Sequence, residues 1–426
     1  MIPEHPSFLS AMAYWFKLGC ISFGGPAGQI SLMHAELVER RRWISEQRFL
    51  HALNYCMALP GPEAQQLATY LGWLLHGVKG GLTAGILFVL PAFLLLTGLS
   101  WAYALHADQP LTMAALYGIK PVVTAIVILA AWRLGRRTLK TPALGLVAAL
   151  AFLAMEFLGA PFPLVIAGAA LAGILLEWLR PGFAQPASSS QTSQPPALID
   201  DQNPPPVQAS LLASLKPLIL TLGVGTLLLM LTNSYFSTMA LFFTQTALVT
   251  FGGAYAVLPY VQQAAVSTHG WLSAPQMIDG LALGETTPGP LIIIVAFVGF
   301  MGGWNGAAQL GLEPALAGCI GAGVATLFTF LPSFAFIFAG APWIEASRDN
   351  LRLQAPLTAI SAAVVGVILT LALLLARHVF IGAGAPDLPA LGLCLGALLA
   401  MGRWNLGVIS TIGIGAALGI FWKFLI

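Results

Sequence analysis

Residues 56–66 read CMALPGPEAQQ, and residues 284–294 read GETTPGPLIII. Each stretch sets a Pro-Gly-Pro inside an apolar run where a helix would otherwise continue. Proline removes a backbone donor and crowds the preceding turn, and glycine admits backbone conformations closed to other residues, so each triplet interrupts its helix. The surrounding composition says in what medium these breaks occur.

Charged residues are 8% of the 426 and hydrophobic residues 58%, whereas soluble domains carry roughly 25% charged residues. This is the composition of an integral membrane protein. Long apolar runs without strict alternation argue for helices rather than a β-barrel. A net charge of +2, with basic residues scattered among apolar runs, excludes a nucleic-acid surface. Cys20, Cys56, Cys319 and Cys394 lie singly in apolar segments and read as packing residues, with no metal spacing. The N-terminal MIPEHPSFLS has no basic region or cleavage site, so the first apolar segment is expected to be retained. Trp15, Trp43, Trp73, Trp101 and Trp271 fall near segment ends or loops, as interfacial belts require.

The two breaks belong to a larger repetition. Phe23-Gly24-Gly25 recurs as Phe251-Gly252-Gly253, Trp43-Ile44-Ser45 as Trp271-Leu272-Ser273, and Pro60-Gly61-Pro62 as Pro288-Gly289-Pro290, each pair 228 residues apart. Leu90-Pro91-Ala92-Phe93 and Leu331-Pro332-Ser333-Phe334 stand 241 apart, so the second copy gains 13 residues in between. The chain is a tandem duplication. Residues 181–212 contain seven prolines and little to bury, which predicts a disordered cytoplasmic linker. The expected organisation is a first repeat over 1–180, that linker, an extra transmembrane helix at 213–232 and a second repeat over 233–426. Two halves about a central site are a transporter plan.

The stretches FGGPAGQISLMHAELVERRRWIS, MALPGPEAQQLATYLGW, FGGAYAVLPYVQQ and LALGETTPGPLIIIVAFVG resemble the paired motifs of the chromate ion transporter family in its long, two-domain form. The resemblance covers essentially the whole chain apart from the linker. It implies efflux of chromate from the bacterial cytoplasm through the inner membrane, with sulfate as the structural analogue, and antiparallel halves.

Charge distribution bears on that orientation, because Lys and Arg flanking spans concentrate in the cytoplasm. With Lys17 and Lys120, which fall within apolar segments, set aside, 16 cations remain; if both the Phe-Gly-Gly and the Pro-Gly-Pro segments fold back as re-entrant hairpins, only Arg377 and Lys423 of these fall outside while 14 fall inside. The helix at 213–232 then inverts the second repeat. Arg40, Arg41, Arg42 and Arg48 surround Trp43, whereas no Lys or Arg surrounds Trp271, as inversion requires. The expected fold is an all-α polytopic membrane protein of two homologous halves, an inverted repeat with helices broken or re-entrant at both motifs.

The breaks are also the candidate substrate site. Pro26, Pro62 and Pro290 each follow a glycine and can start a helix, whose N-terminal N–H groups suit an oxyanion. The candidate substrate-binding residues are therefore Phe23, Gly24, Gly25, Pro26, Pro60, Gly61 and Pro62 in the first half, and Phe251, Gly252, Gly253, Pro288, Gly289 and Pro290 in the second. Asn54, Gln65, Gln66, Thr286 and Thr287 are nearby hydrogen-bonding candidates, or else glue between helices. Lys17 and Lys120 either neutralise a dianion or snorkel to an interface. Glu63 and Glu285 either gate the site through protonation or cap a half-helix.

The function this supports is a secondary transporter exporting chromate, without cofactor, metal or catalytic residue. Its expected partners are chromate and sulfate, the lipid bilayer and a second copy of the chain. The rivals are a transporter of sulfate or another oxyanion and, more remotely, an intramembrane enzyme. No His-Glu-x-x-His, Gly-x-Ser-x-Gly or Walker motif is present.

Overall fold

The duplicated motifs fall at matching helix ends and breaks in the two halves. The computed structural model describes residues 4–23, 25–180, 197–200, 211–231, 233–251, 253–346, 354–381 and 386–425. The first half contains α1 (Phe8–Ile21), α2 (Gly25–His34), α3 (Glu46–Ala58), α4 (Glu63–His106), α5 (Pro110–Thr138), α6 (Pro142–Leu158) and α7 (Phe162–Leu179). After α8 (Leu211–Leu231), the second half contains α9 (Ser234–Val249), α10 (Ala254–Gln262), α11 (Ala274–Thr286), α12 (Ile294–Leu310), α13 (Pro314–Ala346), α14 (Gln354–Phe380), α15 (Leu388–Arg403) and α16 (Val408–Leu425). Among the described residues there is no β-strand, and six helices are long and apolar enough to cross a membrane. The chain is an all-helical, multi-pass membrane protein.

The sequence suggests separate apolar segments at 49–77 and 80–105, and the helices divide them differently. Pro60-Gly61-Pro62 separates α3 from α4, and α4 itself reverses at His76 and Gly77, where Gly77 has φ +63°. The reversal lays its first arm, residues 63–75, against its second. A Cβ on Gly72 would stand 2.6 Å from the Gly80 carbonyl, and one on Gly85 would stand 2.4 Å from Thr69 Oγ1. Small residues let two helices approach this closely without polar glue. The second half makes the same hairpin between α12 and α13, reversing at Gly311 and closing through Gly299, Gly303 and Gly321.

Backbone hydrogen bonds repeat along with the motifs. Both α2 and α10 end in a π-helical turn, Ala35–Arg40 and Gln263–Thr268. The Trp43 amide then donates to the Leu37 carbonyl and the Trp271 amide to that of Ala265, both at 2.8 Å. Ser45 and Ser273 cap α3 and α11. Arg41 lies 4.6 Å above the Trp43 ring, and its counterpart His269 stacks on Trp271 at 4.4 Å. Burial pushes the His269 pKa below its ordinary value. Burial would raise the Glu36 carboxyl, but hydrogen bonds from Arg41 and Arg40 outweigh it and hold that group below the usual range. Trp15, Trp43, Trp73 and Trp271 are buried inside the protein rather than in an interfacial belt, and only Trp101 of the five is exposed.

The halves are interlocked, each giving one long helix to the other. Helix α5 packs against α15 and α16, while α14 packs against α6 and α7. Glycines permit both crossings. A Cβ on Gly118 would meet the Gly415 carbonyl at 1.9 Å, and one on Gly366 would meet the Ala148 carbonyl at 2.1 Å. Most of the segment read as a linker lies outside the described residues, but 197–200 are docked. Ile199 pairs with Ile44 as a parallel bridge, the Leu198 amide donates to the Arg42 carbonyl at 2.9 Å, and Ala197 and Ile199 are buried.

Candidate functional site

The matched motifs meet crosswise. The amide of Gly61, in the first Pro-Gly-Pro, donates to the Thr250 carbonyl just ahead of the second Phe-Gly-Gly. The amide of Gly289, in the second Pro-Gly-Pro, donates to the Ser22 carbonyl just ahead of the first. Side chains repeat the exchange. A Cβ on Gly61 would meet Ser333 Oγ at 2.7 Å, and one on Gly289 would meet Ala92 Cβ at 2.5 Å. Those two residues belong to the matched Leu-Pro-Ala-Phe and Leu-Pro-Ser-Phe. Each turn is thus closed by two segments of the opposite half. Gly25, Gly61, Gly253 and Gly289 have φ of +73°, +120°, +100° and +100°, a region that penalises any side chain.

These bonds correct part of the expectation from sequence. The Gly61 and Gly289 amides are not open to an anion, because the opposite half already accepts them. Pro62, Pro288, Gly289 and Pro290 are buried and Pro60 is half-buried. Gln66 Nε2 donates to the Pro60 carbonyl at 2.7 Å, and Gln29 Nε2 donates to that of Gly289 at 2.6 Å. Gln65 donates to Thr69 at 3.0 Å. The hydroxyls of Thr286 and Thr287 donate to Leu283 and Gly284 of their own helix. The triplets hold the two halves together at membrane depth, where backbone groups must be satisfied internally.

Other candidates do converge on open space. A cavity of about 800 Å³ lies beside the crossing. Gly25 and Pro26 wall it from one half and Phe251 and Gly253 from the other, with Asn54, Glu63 and Glu285 also on its lining. A narrow void of about 20 Å³ shares Gly25 and Glu285 with it and extends to Phe23, Thr287 and Gly289. Gly24 and Gly252 lie outside the described residues.

The two lysines are elsewhere. Lys17 is exposed on α1. Lys120 Nζ is 2.8 Å from Asp279 Oδ1, and the Tyr103 hydroxyl donates to Asp279 Oδ2 at 2.9 Å, a cluster joining α4 and α5 to α11. At the first half's counterpart of α11, Arg48 pairs with Glu345 at the end of α13, and Tyr70 donates to the same carboxylate at 2.6 Å.

Among the charged and polar lining residues missed by sequence reasoning are Arg133, Arg137 and Tyr255. Arg133 and Arg137 project from the end of α5, and the Tyr255 hydroxyl donates to Glu285 Oε1 at 2.9 Å. The arginines were legible as an i, i+4 pair ending an apolar run, but that pattern also marks a cytoplasmic anchor.

The chromate transporter family model matches residues 9–174 and 237–420, one region per half. A probable chromate transport protein of Synechococcus elongatus is 29% identical over 96% of this chain and 93% of its own. A chromate transport protein of Pseudomonas aeruginosa is 32% identical over 86% of this chain and 80% of its own. One from Cupriavidus metallidurans is 27% identical over 86% and 82%. No solved structure matches the chain. With both halves matched separately, joined crosswise at their glycine breaks and enclosing one cavity between them, the chain belongs to the chromate transporter family.

Proposed function

We propose that this protein is a secondary transporter that exports chromate from the bacterial cytoplasm across the inner membrane. The observation that carries the reading is the shared cavity, to which both Phe-Gly-Gly segments contribute backbone and both halves contribute a carboxylate. A site at the seam of two related halves can be exposed to either side in turn when one half rocks against the other. The relatives named chromate transport proteins supply the substrate, which nothing in the geometry alone distinguishes from sulfate.

The direction follows from charge. Moving one charge through 100 mV is worth about 2.3 kcal/mol, so a dianion leaving an inside-negative cell gains roughly twice that. Export therefore needs no ATPase. The second half is inverted relative to the first, with the Arg40–Arg42 loop cytoplasmic and the Trp271 loop opposite. Helices α1 and α3 and the first arm of α4 have 14, 13 and 13 residues, and at 1.5 Å per residue each is about 20 Å long, short of a crossing of about 30 Å. Such lengths support re-entrant hairpins at the breaks.

The test is radiolabelled chromate flux in inverted membrane vesicles, with and without an imposed potential and with sulfate as competitor. Accumulation driven by an interior-positive potential is expected. Electroneutral flux, or flux carrying sulfate in preference to chromate, overturns the driving force or the substrate respectively.

A further inference from the structure

Helix α5 turns one stripe of side chains toward the cavity: Ile126, Ala130, Arg133, Leu134, Arg137 and Thr138. Their spacing is that of a single helix face, so the two guanidinium groups are neighbours one turn apart. Arg133, Arg136 and Arg137 are all exposed, but Arg136, between the other two in sequence, does not line the cavity.

Arg133 and Arg137 combine a place on the cavity wall with the absence of an ion-pair partner among the described residues. Arg40 and Arg41 pair with Glu36, Arg48 with Glu345, Lys120 with Asp279 and Arg377 with Glu156. Among the described residues, Arg133 and Arg137 have no hydrogen bond and no carboxylate within 4.0 Å. The opposite wall holds Glu63 and the Tyr255–Glu285 pair. The charge of Arg137 reaches Glu63 and that of Arg133 reaches Tyr255, but neither is in contact. The second half contributes Leu357, Thr358, Ile360, Ser361 and Ile368 of α14 to the same cavity and no cation. The duplicated frame therefore carries its positive charge on one side only.

We propose that Arg133 and Arg137 form the binding site for the transported dianion, each guanidinium donating N–H groups to a different pair of its oxygens. This rests on the oxyanion reading of the protein and names the residues that execute it. Guanidinium suits the task, because its planar fork presents paired donors, stays charged at any relevant pH and is less strongly hydrated than an ammonium. Two such groups balance a charge of minus two, so a cavity that holds the dianion with Glu63 and Glu285 protonated carries the same net charge as an empty one in which both acids are ionised. Entry of the dianion and the negative charge on these acids compete for the same arginines.

Chromate binding to the purified full-length protein tests this by calorimetry at fixed ionic strength and at a pH where chromate is the dianion. Arg133→Gln and Arg137→Gln should each weaken binding on the order of tenfold to a hundredfold, the range for losing a charged hydrogen-bond partner. The double variant should show no saturable binding, and chromate should no longer raise its melting temperature. Arg136→Gln should bind as the wild type does. The proposal is overturned if the folded double variant retains wild-type affinity. If the double variant does not reach the membrane, Arg133→Lys/Arg137→Lys decides, since it keeps the charge and loses the fork. Weakened binding in that variant supports the site, and unchanged affinity overturns it. A wild-type protein that binds neither chromate nor sulfate would instead refute the oxyanion reading itself.

Discussion

The amide of Gly61 donates to the carbonyl of Thr250 at 2.8 Å, and the symmetry-related bond from Gly289 to Ser22 spans 2.6 Å. A turn in either half is therefore completed by the other. Each bond ties the start of one helix to the end of another at a point where neither glycine has room for a side chain.

Gly61→Val and Gly289→Val should both abolish most transport, by more than about tenfold. A β-branched residue at positive φ is strained, and its Cβ would strike Ser333 or Ala92. Gly98→Val is the control, because Gly98 lies within α4 and a Cβ there meets nothing within 4 Å. Gly77 would make a poor one, since the chain reverses there at positive φ. Export is compared at equal membrane abundance, and wild-type rates in Gly61→Val would remove the turn from the mechanism.

The Lys120–Asp279 pair should be structural. Asp279 is buried and Lys120 half-buried; removing one partner of a fully buried pair costs about 3–5 kcal/mol and of this one less, whereas replacing both by apolar groups is often neutral. Asp279→Ala is thus expected to lower the melting temperature of the purified protein sharply. Lys120→Met/Asp279→Leu should recover most of that loss and keep chromate affinity. Loss of affinity in the stable double variant would return Lys120 to the substrate site.

Cysteine substitutions at Arg42 and Ser273, in a background without the native cysteines, test orientation. An impermeant thiol reagent added outside should label the cysteine replacing Ser273 and spare the one replacing Arg42. Labelling of both from one side contradicts inversion.

Splitting the chain between residues 185 and 186 should preserve export when both fragments are made together. Either fragment alone should fail to accumulate as folded protein, because α5 and α14 would each lack the helices they pack against. Stable accumulation of one fragment by itself, seen as protease resistance in the membrane, would contradict the interlocking.

What could be read from the sequence follows from which residues speak for the backbone. Glycine and proline recur at a constant interval because the turns they make are fixed by φ, so the duplication and the breaks at Gly25, Gly61, Gly253 and Gly289 were legible in one chain. Hydrophobic periodicity shows that a helix buries a face but not what it buries it against, so the exchange of α5 and α14 was not. The same limit concealed Arg133 and Arg137, since a cation at the end of an apolar helix looks alike whether it faces water outside or a cavity within. Ala197 and Ile199 were hidden for another reason: two apolar residues in a proline-rich stretch have no period to betray them.

The crossed helices also bear on ancestry. A chain with one repeat would have neither the carbonyl that accepts from its Pro-Gly-Pro turn nor the helices that α5 or α14 packs against. Such a chain would need a second copy to supply both, each completing the other. Two such copies joined in one chain stand at a ratio of one to one and need not be identical. Sequence drift could then strip the positive charge from one wall while the other kept it, giving a symmetric frame with an asymmetric interior.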